Sequence, residues 1–401
     1  MSTITESFKQ AELALAAYSN VTPGISGTPY TKALEADGAS MSPAQATRFA
    51  RDWRVVEQYA DPLSGLSATV FEEVATRQRY LAIRGTERSL PGAVMDVVAD
   101  IGIFEGLNGR QQYERLESYF ASLRSRNVIE AGSVTVTGHS LGGLLAQMLA
   151  VDHAGEISAA VTFNAPGLGG VGAEILDLLG IAEANIALAS ITNIRAEGLS
   201  PIASLGTLLG EVKEASIETS LNPIANHSIV TLTDALALYA LFATIDPSLN
   251  TATDGIAKIT DIVKASPNLN GNTLETAIDK PRELLLGAPG TVPEDREDYY
   301  RNRYQLTDWI TARSSSGTVA ALKLDALSSH GGTSIAAKAR ANTPDALAYR
   351  YALRELNAFA LTGEASIYAG HNTAGELVAS ESQCVRHGEA EVANRAWRLA
   401  A

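Results

Sequence analysis

The stretch at residues 133–150 reads SVTVTGHSLGGLLAQMLA, and it decides how the rest of the chain is interpreted. β-branched residues fill residues 134–137, which is typical of a short strand, and the apolar run from Leu141 onward predicts a helix. Gly138 and Gly142 lie two residues before and after Ser140. Because glycine has no Cβ, this spacing lets two stretches of backbone approach closely and predicts a tight strand-to-helix turn.

Ser140, at the tip of this turn, has the setting of a reactive side chain. A G-x-S-x-G sequence between a strand and a helix predicts a nucleophile elbow, in which a strained backbone presents the serine hydroxyl. The helix that follows directs its first N–H groups and the positive end of its dipole toward the same place. Ser140 is therefore the candidate nucleophile, and the N–H of Leu141 is a candidate donor to an oxyanion.

Strands and helices alternate around the elbow. Helices are predicted at residues 5–19 and 43–51, the second after an N-cap at Ser42, and three short strands follow from Trp53. From about residue 109, helices and strands then take turns along the chain. That order is typical of a mostly parallel sheet with helical crossovers, so the sequence predicts an α/β fold.

The C-terminal part has a different pattern. Ala- and Leu-rich helical periodicity dominates beyond about residue 230, and strand patterns fade. We therefore expect a catalytic domain at residues 1–250 and a mainly helical region of unknown role at residues 251–401, packed on the core.

Composition excludes several classes of partner and site. The chain has 401 residues and a formal net charge of −14, so its field would repel nucleic acid and anionic membranes, and any contact with a lipid interface must be apolar. No apolar run is long enough to span a membrane, and the first residues do not have a Sec-type signal pattern. The only cysteine and the six scattered histidines show no metal-ligand spacing, so no metal is expected.

A second motif makes a family resemblance specific. The strand ending in AIRGT at residues 82–86 precedes GHSLGG at residues 138–143, and this pair resembles the class 3 lipases, with the α/β-hydrolase fold. The pattern is most similar to bacterial lipases exported with repeat-in-toxin tails. The resemblance implies that Thr86 supplies a second oxyanion-hole donor through its backbone N–H, beside Leu141.

The same resemblance points to the general base. The segment Asn226-His227-Ser228 resembles the family's histidine segment, which implies that His227 takes the proton of Ser140. A histidine suits proton transfer near neutral pH because its ordinary pKa is about 6.5. His139 in the elbow is interpreted as a packing residue. His330 and His371, in glycine-rich loops, remain rivals for the base.

The acid of the triad departs from the family pattern. Where relatives carry an aspartate in a D-P-V-like turn, this chain has Ser200. Two explanations stay open: Glu197, a few residues earlier at the strand end, reaches the imidazole, or the triad is incomplete. We select Glu197.

Together these features predict a serine carboxylic-ester hydrolase of the triacylglycerol-lipase type, working through an acyl-enzyme on Ser140 without any cofactor. The alternatives are a short-chain esterase or phospholipase with the same site, and a catalytically weak hydrolase fold that binds lipid or a partner. The substrate is a lipid or small ester, and the oligomeric state is left open. A soluble protein is expected, either exported by a leaderless route, as the resemblance implies, or cytoplasmic.

Overall fold

The computed structural model describes residues 3–85, 107–168, 185, 189–197, 206–218, 223–266, 273–287, 295–315, 322–355 and 357–377. The chain divides into two compact units. Glu6–Leu236 forms the first unit, and Thr3–Thr5 belongs to the second together with the chain from Ala237 onward.

The first unit contains a seven-stranded sheet whose strands lie side by side in the order in which they occur in the chain. The strands are β1 (Trp53–Ala60), β2 (Ser67–Glu73), β3 (Arg79–Ile83), β4 (Val134–His139), β5 (Ile157–Phe163), β6 (Ile191–Ala196) and β7 (Glu211–Ala215). β1, β2 and β3 pair antiparallel, and every pair from β3 to β7 is parallel. The predicted α/β fold with a mostly parallel sheet is confirmed.

Helices occupy both faces of this sheet. Those of the first unit are α1 (Ile4–Ala16) from Glu6 onward, α2 (Gly27–Glu35), α3 (Pro43–Asp52), α4 (Leu107–Ser125), α5 (Leu141–Asp152), α6 (Pro223–His227) and the start of α7 (Ile229–Ile245). Side chains alternate along each strand, so neighbouring residues of β3 face opposite sides. Leu81 packs in the apolar cluster shared with α4 and α5. The hydroxyl of Tyr80, on the other face, donates to the Glu6 carboxylate of α1 at 3.0 Å.

The helix predicted after Ser42 begins at the expected residue. Ser42 caps α3, because its hydroxyl accepts the N–H of Gln45 at 3.2 Å. β7 was missed, since its sequence EVKEA contains three charged residues and lacks the apolar signal of a buried strand. α2 was also missed.

The second unit is largely helical, as expected for the C-terminal region. It contains the rest of α7 and the helices α8 (Pro247–Thr251), α9 (Gly255–Lys264), α10 (Thr273–Leu286), α11 (Arg296–Ser315), α12 (Gly332–Arg340) and α13 (Ala346–Arg354). One small antiparallel sheet joins β8 (Lys323–Ala326) to β9 (Phe359–Thr362). Within the residues that the structure describes, no helix is both long enough and apolar enough to cross a membrane.

Candidate active site

Ser140 lies in the turn between β4 and α5, in a backbone conformation that L-residues rarely adopt. Its φ is +56° and its ψ is −127°. Such a conformation is costly and persists only where the surroundings hold it. Here the N–H of Ser140 donates to the carbonyl of Phe163 in β5 at 3.0 Å, while its own carbonyl accepts the N–H of Gly143 at 3.0 Å. The predicted elbow is therefore present in the backbone geometry.

The two motif glycines are required by close backbone contacts. A Cβ on Gly138 would lie 2.4 Å from the carbonyl carbon of Gly142, and a Cβ on Gly142 would lie 2.3 Å from the carbonyl oxygen of Ile83. The second contact joins the start of α5 to the end of β3. Glycine at position 142 therefore lets the nucleophile turn pack against the strand that leads to Thr86.

We expect Gly142→Ala to disturb both the fold and the site. The added methyl group meets main-chain atoms of Ile83 and Arg84, which cannot rotate away, so the cost should reach about 3 kcal/mol, the upper end of the range for overpacking. Thermal melting checks the stability loss. Gly332→Ala is the matched control, because nothing lies within 4 Å of its Cβ position. A Gly142→Ala variant that melts like Gly332→Ala would contradict the expectation.

The structure brings His227 to Ser140, the predicted nucleophile. Its Nε2 lies 3.0 Å from the Oγ of Ser140, although the two residues are 87 positions apart in the chain. Both residues are buried, with 7% and 5% of their surface exposed. If the hydroxyl donates, Nε2 accepts and the imidazole carries its proton on Nδ1, which is the form a general base needs. The geometry thus allows direct proton transfer from Ser140.

The main-chain carbonyl of His227 is held by two side chains that are not adjacent in the sequence. It accepts from Nε2 of His139 at 2.8 Å and from Nδ2 of Asn164 at 3.0 Å. Nδ1 of His139 in turn lies 2.9 Å from the hydroxyl of Tyr18. His139 was predicted to be a packing residue, and the fold gives it a hydrogen bond to the main chain of His227. Tyr18 and Asn164 are brought to these residues only by the fold.

Of the two predicted oxyanion donors, Leu141 and Thr86, the structure describes Leu141. Leu141 is the first residue of α5, and the first N–H groups of a helix have no acceptor within the helix itself. Its N–H therefore suits an oxyanion beside Ser140. Thr86 lies outside the described residues. Gly85, just before it, is tightly enclosed: a Cβ there would lie 2.6 Å from the carbonyl oxygen of His139.

Glu197 directly follows β6, and its backbone N–H donates to the carbonyl of Ala215 at 2.8 Å. Ser140 and Asn164 directly follow β4 and β5, so the three residues lie at the same edge of the parallel sheet. This is the edge at which ligands bind in open α/β sheets. Ser200 lies outside the described residues, and the pairing of Glu197 with His227 stays a prediction.

The rival histidines have other partners. Nε2 of His330 lies 2.7 Å from the Asp325 carboxylate, which also accepts from Lys338 and Tyr349. Burial acts to raise the pKa of the Asp325 carboxyl, but these hydrogen bonds outweigh burial and hold that pKa below its usual range. The ring of His371 packs against Tyr351, with centroids 4.9 Å apart. No three His, Cys, Asp or Glu side chains within the described ranges are grouped to hold a metal ion.

Comparison with known proteins gives partial structural similarity to fungal lipases. No family model matches the chain, and no curated protein matches its sequence. Lipase II from Rhizopus niveus has 20% identity, a TM-score of 0.32 and alignment over 50% of this chain and 73% of its own. The Lip2 lipase from Yarrowia lipolytica has 20% identity and a TM-score of 0.35, and its alignment covers 55% of this chain and 80% of its own. A triacylglycerol lipase from Penicillium expansum has 14% identity and a TM-score of 0.30, and its alignment covers 54% of this chain and 82% of its own.

Proposed function

We propose that this chain is a serine carboxylic-ester hydrolase that acts on lipids. The observation that supports this most strongly is the 3.0 Å contact between Nε2 of His227 and Oγ of a serine with φ of +56° at a strand-to-helix turn. A serine hydroxyl is a weak nucleophile on its own, and an adjacent base activates it. A buried serine in a strained turn, paired with a histidine, is the arrangement that acyl transfer requires.

The proposed reaction has two half-reactions. His227 accepts the proton of Ser140 on Nε2 while the Oγ attacks the ester carbonyl, and the N–H groups of Leu141 and Thr86 hold the oxyanion. The protonated imidazole then returns its proton to the alkoxide leaving group, which departs as the alcohol. A water molecule, deprotonated by the same imidazole, then attacks the acyl-enzyme. The bond to Oγ breaks, the imidazolium returns the proton to Ser140, and the fatty acid is released. No cofactor takes part in these steps.

Within this proposal, Glu197 is the acid that orients His227. Its place directly after β6, at the sheet edge where Ser140 follows β4, supports this role. We expect Glu197→Gln to lower kcat by about 10³-fold to 10⁴-fold, because the neutral amide no longer stabilises the imidazolium that forms. Glu214→Gln, in the exposed edge strand β7, is the control and should keep wild-type kcat. Unchanged turnover by Glu197→Gln would mean that another group, or none, completes the triad.

The experiment that tests the proposed function measures hydrolysis of p-nitrophenyl esters from acetate to palmitate by the full chain. A fluorophosphonate that labels active serine hydrolases is applied in parallel. Turnover together with stoichiometric labelling supports the proposal, and a maximum at long chains selects a lipase over a short-chain esterase. A folded chain that neither turns over any ester nor reacts with the phosphonate refutes it and favours a lipid-binding or partner-binding role.

Finer assignments belong to the same proposal. The catalytic residues all fall within residues 1–250, which we propose as the catalytic domain, and residues 251–401 are proposed as an accessory region. Similarity to bacterial lipases with repeat-in-toxin tails, and export by a leaderless route, rest on the sequence motifs alone. Recovery of the full chain in the culture medium without removal of N-terminal residues would support such export.

A further inference from the structure

We infer that Asn164 is a positioning residue, which fixes the imidazole of His227 on Ser140 by holding the main chain of His227. This inference rests on the proposed hydrolase function. The Nδ2 of Asn164 donates to the carbonyl of His227 at 3.0 Å, and its Oδ1 accepts the N–H of Ala196 at 2.9 Å. One side chain therefore joins the base to the end of β6.

Both hydrogen bonds define the orientation of the amide. A backbone N–H can only donate and a backbone carbonyl can only accept, so a flipped amide would lose both partners. Asn164 has no exposed surface, and its φ of +45° is in the left-handed region, which asparagine tolerates better than most residues. The residue is thus held in a conformation that aims its NH₂ group at His227.

The carbonyl of His227 needs partners because of where it lies. His227 is the last residue of α6, a helix of five residues. The last carbonyls of a helix accept no hydrogen bond from an N–H of the same helix. α7 begins two residues later with its own cap, in which the hydroxyl of Ser228 accepts the N–H of Val230 at 3.2 Å. The two side-chain donors, His139 and Asn164, therefore fix the orientation of the peptide group that joins His227 to Ser228.

His139 supplies the second donor to this carbonyl. Its Nε2 must donate there, so in the neutral ring Nδ1 is left to accept, and the Tyr18 hydroxyl lies 2.9 Å from Nδ1. His139 is also the residue directly before the nucleophile. The nucleophile turn and the main chain of the base are therefore connected through one imidazole, and Asn164 completes the pair of donors.

The two hydrogen bonds that hold the carbonyl of His227 should affect catalysis. The imidazole of His227 must stay within hydrogen-bond reach of Ser140 Oγ, and a displacement of about 1 Å can cost about 10²-fold in rate. The alternative is that Asn164 only satisfies two buried backbone groups. In that case its loss would lower stability without a specific effect on kcat.

Asn193 is a matched control for the structural role. It lies in β6 with 3% of its surface exposed. Its Nδ2 donates to the carbonyl of Leu209 at 2.6 Å, and its Oδ1 accepts the hydroxyl of Thr162 at 2.8 Å. It therefore makes one donated and one accepted bond, as Asn164 does, but its donated bond goes to Leu209 rather than to the base.

The experiment compares Asn164→Ala and Asn164→Asp with the same two substitutions at Asn193. Asp has the shape of Asn and keeps the acceptor for Ala196, but it has no NH₂ group. We expect both Asn164 variants to lose about 10²-fold in kcat on a p-nitrophenyl ester, with KM within about threefold of wild type. Both Asn193 variants should keep kcat within about threefold, while melting at temperatures as low as those of the Asn164 variants.

The outcomes separate this inference from the proposed function. Wild-type kcat in Asn164→Asp, or an equal kcat loss at Asn193, overturns the positioning role while leaving the hydrolase assignment intact. A wild-type chain that is inert toward both esters and phosphonate overturns the hydrolase assignment and the inference with it. If Asn164→Ala does not fold, the isosteric Asp variant still gives the decisive kcat.

Discussion

Ser140→Ala is expected to lower kcat/KM for p-nitrophenyl esters by about 10⁴-fold to 10⁶-fold. The reason is that Ser140 Oγ, 3.0 Å from Nε2 of His227, is the proposed attachment point of the acyl group, so without it only the oxyanion donors and substrate binding still accelerate attack by water. The strained turn remains, because the Cβ and main chain at position 140 are unchanged, and the melting temperature should change little. Steady-state kinetics and thermal melting measure the two effects.

Labelling gives an independent readout of the same change. A fluorophosphonate should modify the wild type once, on the peptide that contains Ser140, and should leave Ser140→Ala unmodified. Ser158→Ala is the control: its hydroxyl donates to the carbonyl of Val134 at 2.7 Å, at the opposite end of the strands from the elbow. It should keep full activity and labelling. Phosphonate attached to Ser140→Ala would assign the nucleophile to another residue.

His227→Ala should have the second largest effect, a loss of about 10⁴-fold to 10⁶-fold in kcat. The Nε2 at 3.0 Å from Ser140 Oγ is the group that we propose removes the hydroxyl proton, and without it the neutral hydroxyl must attack. His330→Ala is the control, because His330 is paired with Asp325 in the second unit. It should keep kcat near the wild-type value.

A double mutant tests whether the two residues act as one unit. If His227 serves only to activate Ser140, the variant with both substitutions should be no slower than Ser140→Ala alone, since catalytic groups that work together are not additive. Losses that multiply would show that the residues act in separate steps. Equal kcat losses in His227→Ala and His330→Ala would point to general destabilisation, and melting curves of both variants would then decide between these explanations.

Much of the first unit could be predicted from short stretches of sequence. The strand at Val134–His139 and the helix at Leu141–Asp152 follow from the β-branched run and the apolar run, and the helix begins at the predicted residue. The two motif glycines were expected because of sterics in a turn of five residues. By contrast, β7 and α2 lack a strong apolar pattern, and the sheet and neighbouring helices determine their conformations.

The candidate site likewise combines residues of one local motif with residues that only the fold brings together. Ser140, Gly138 and Gly142 belong to one local motif, so the sequence alone predicted the turn at Ser140 and named this serine as the candidate nucleophile. His227 came from a resemblance in a short segment, and only the fold brings its Nε2 to Ser140 across 87 positions. Glu197 remains a prediction, since Ser200 occupies the position at which the class 3 lipases that the sequence resembles carry an aspartate.

Features that depend on a few neighbouring residues follow from the sequence alone: strand and helix periodicity, the glycine turn and the choice of Ser140 as candidate nucleophile. The tertiary structure decided which distant side chains meet at the base. Tyr18 reaches His139 across 121 positions, and Asn164 reaches His227 across 63. The physical reason is that backbone sterics and periodicity act over one or two turns, whereas hydrogen bonds between distant residues form only after the parallel strands have aligned their carboxyl ends.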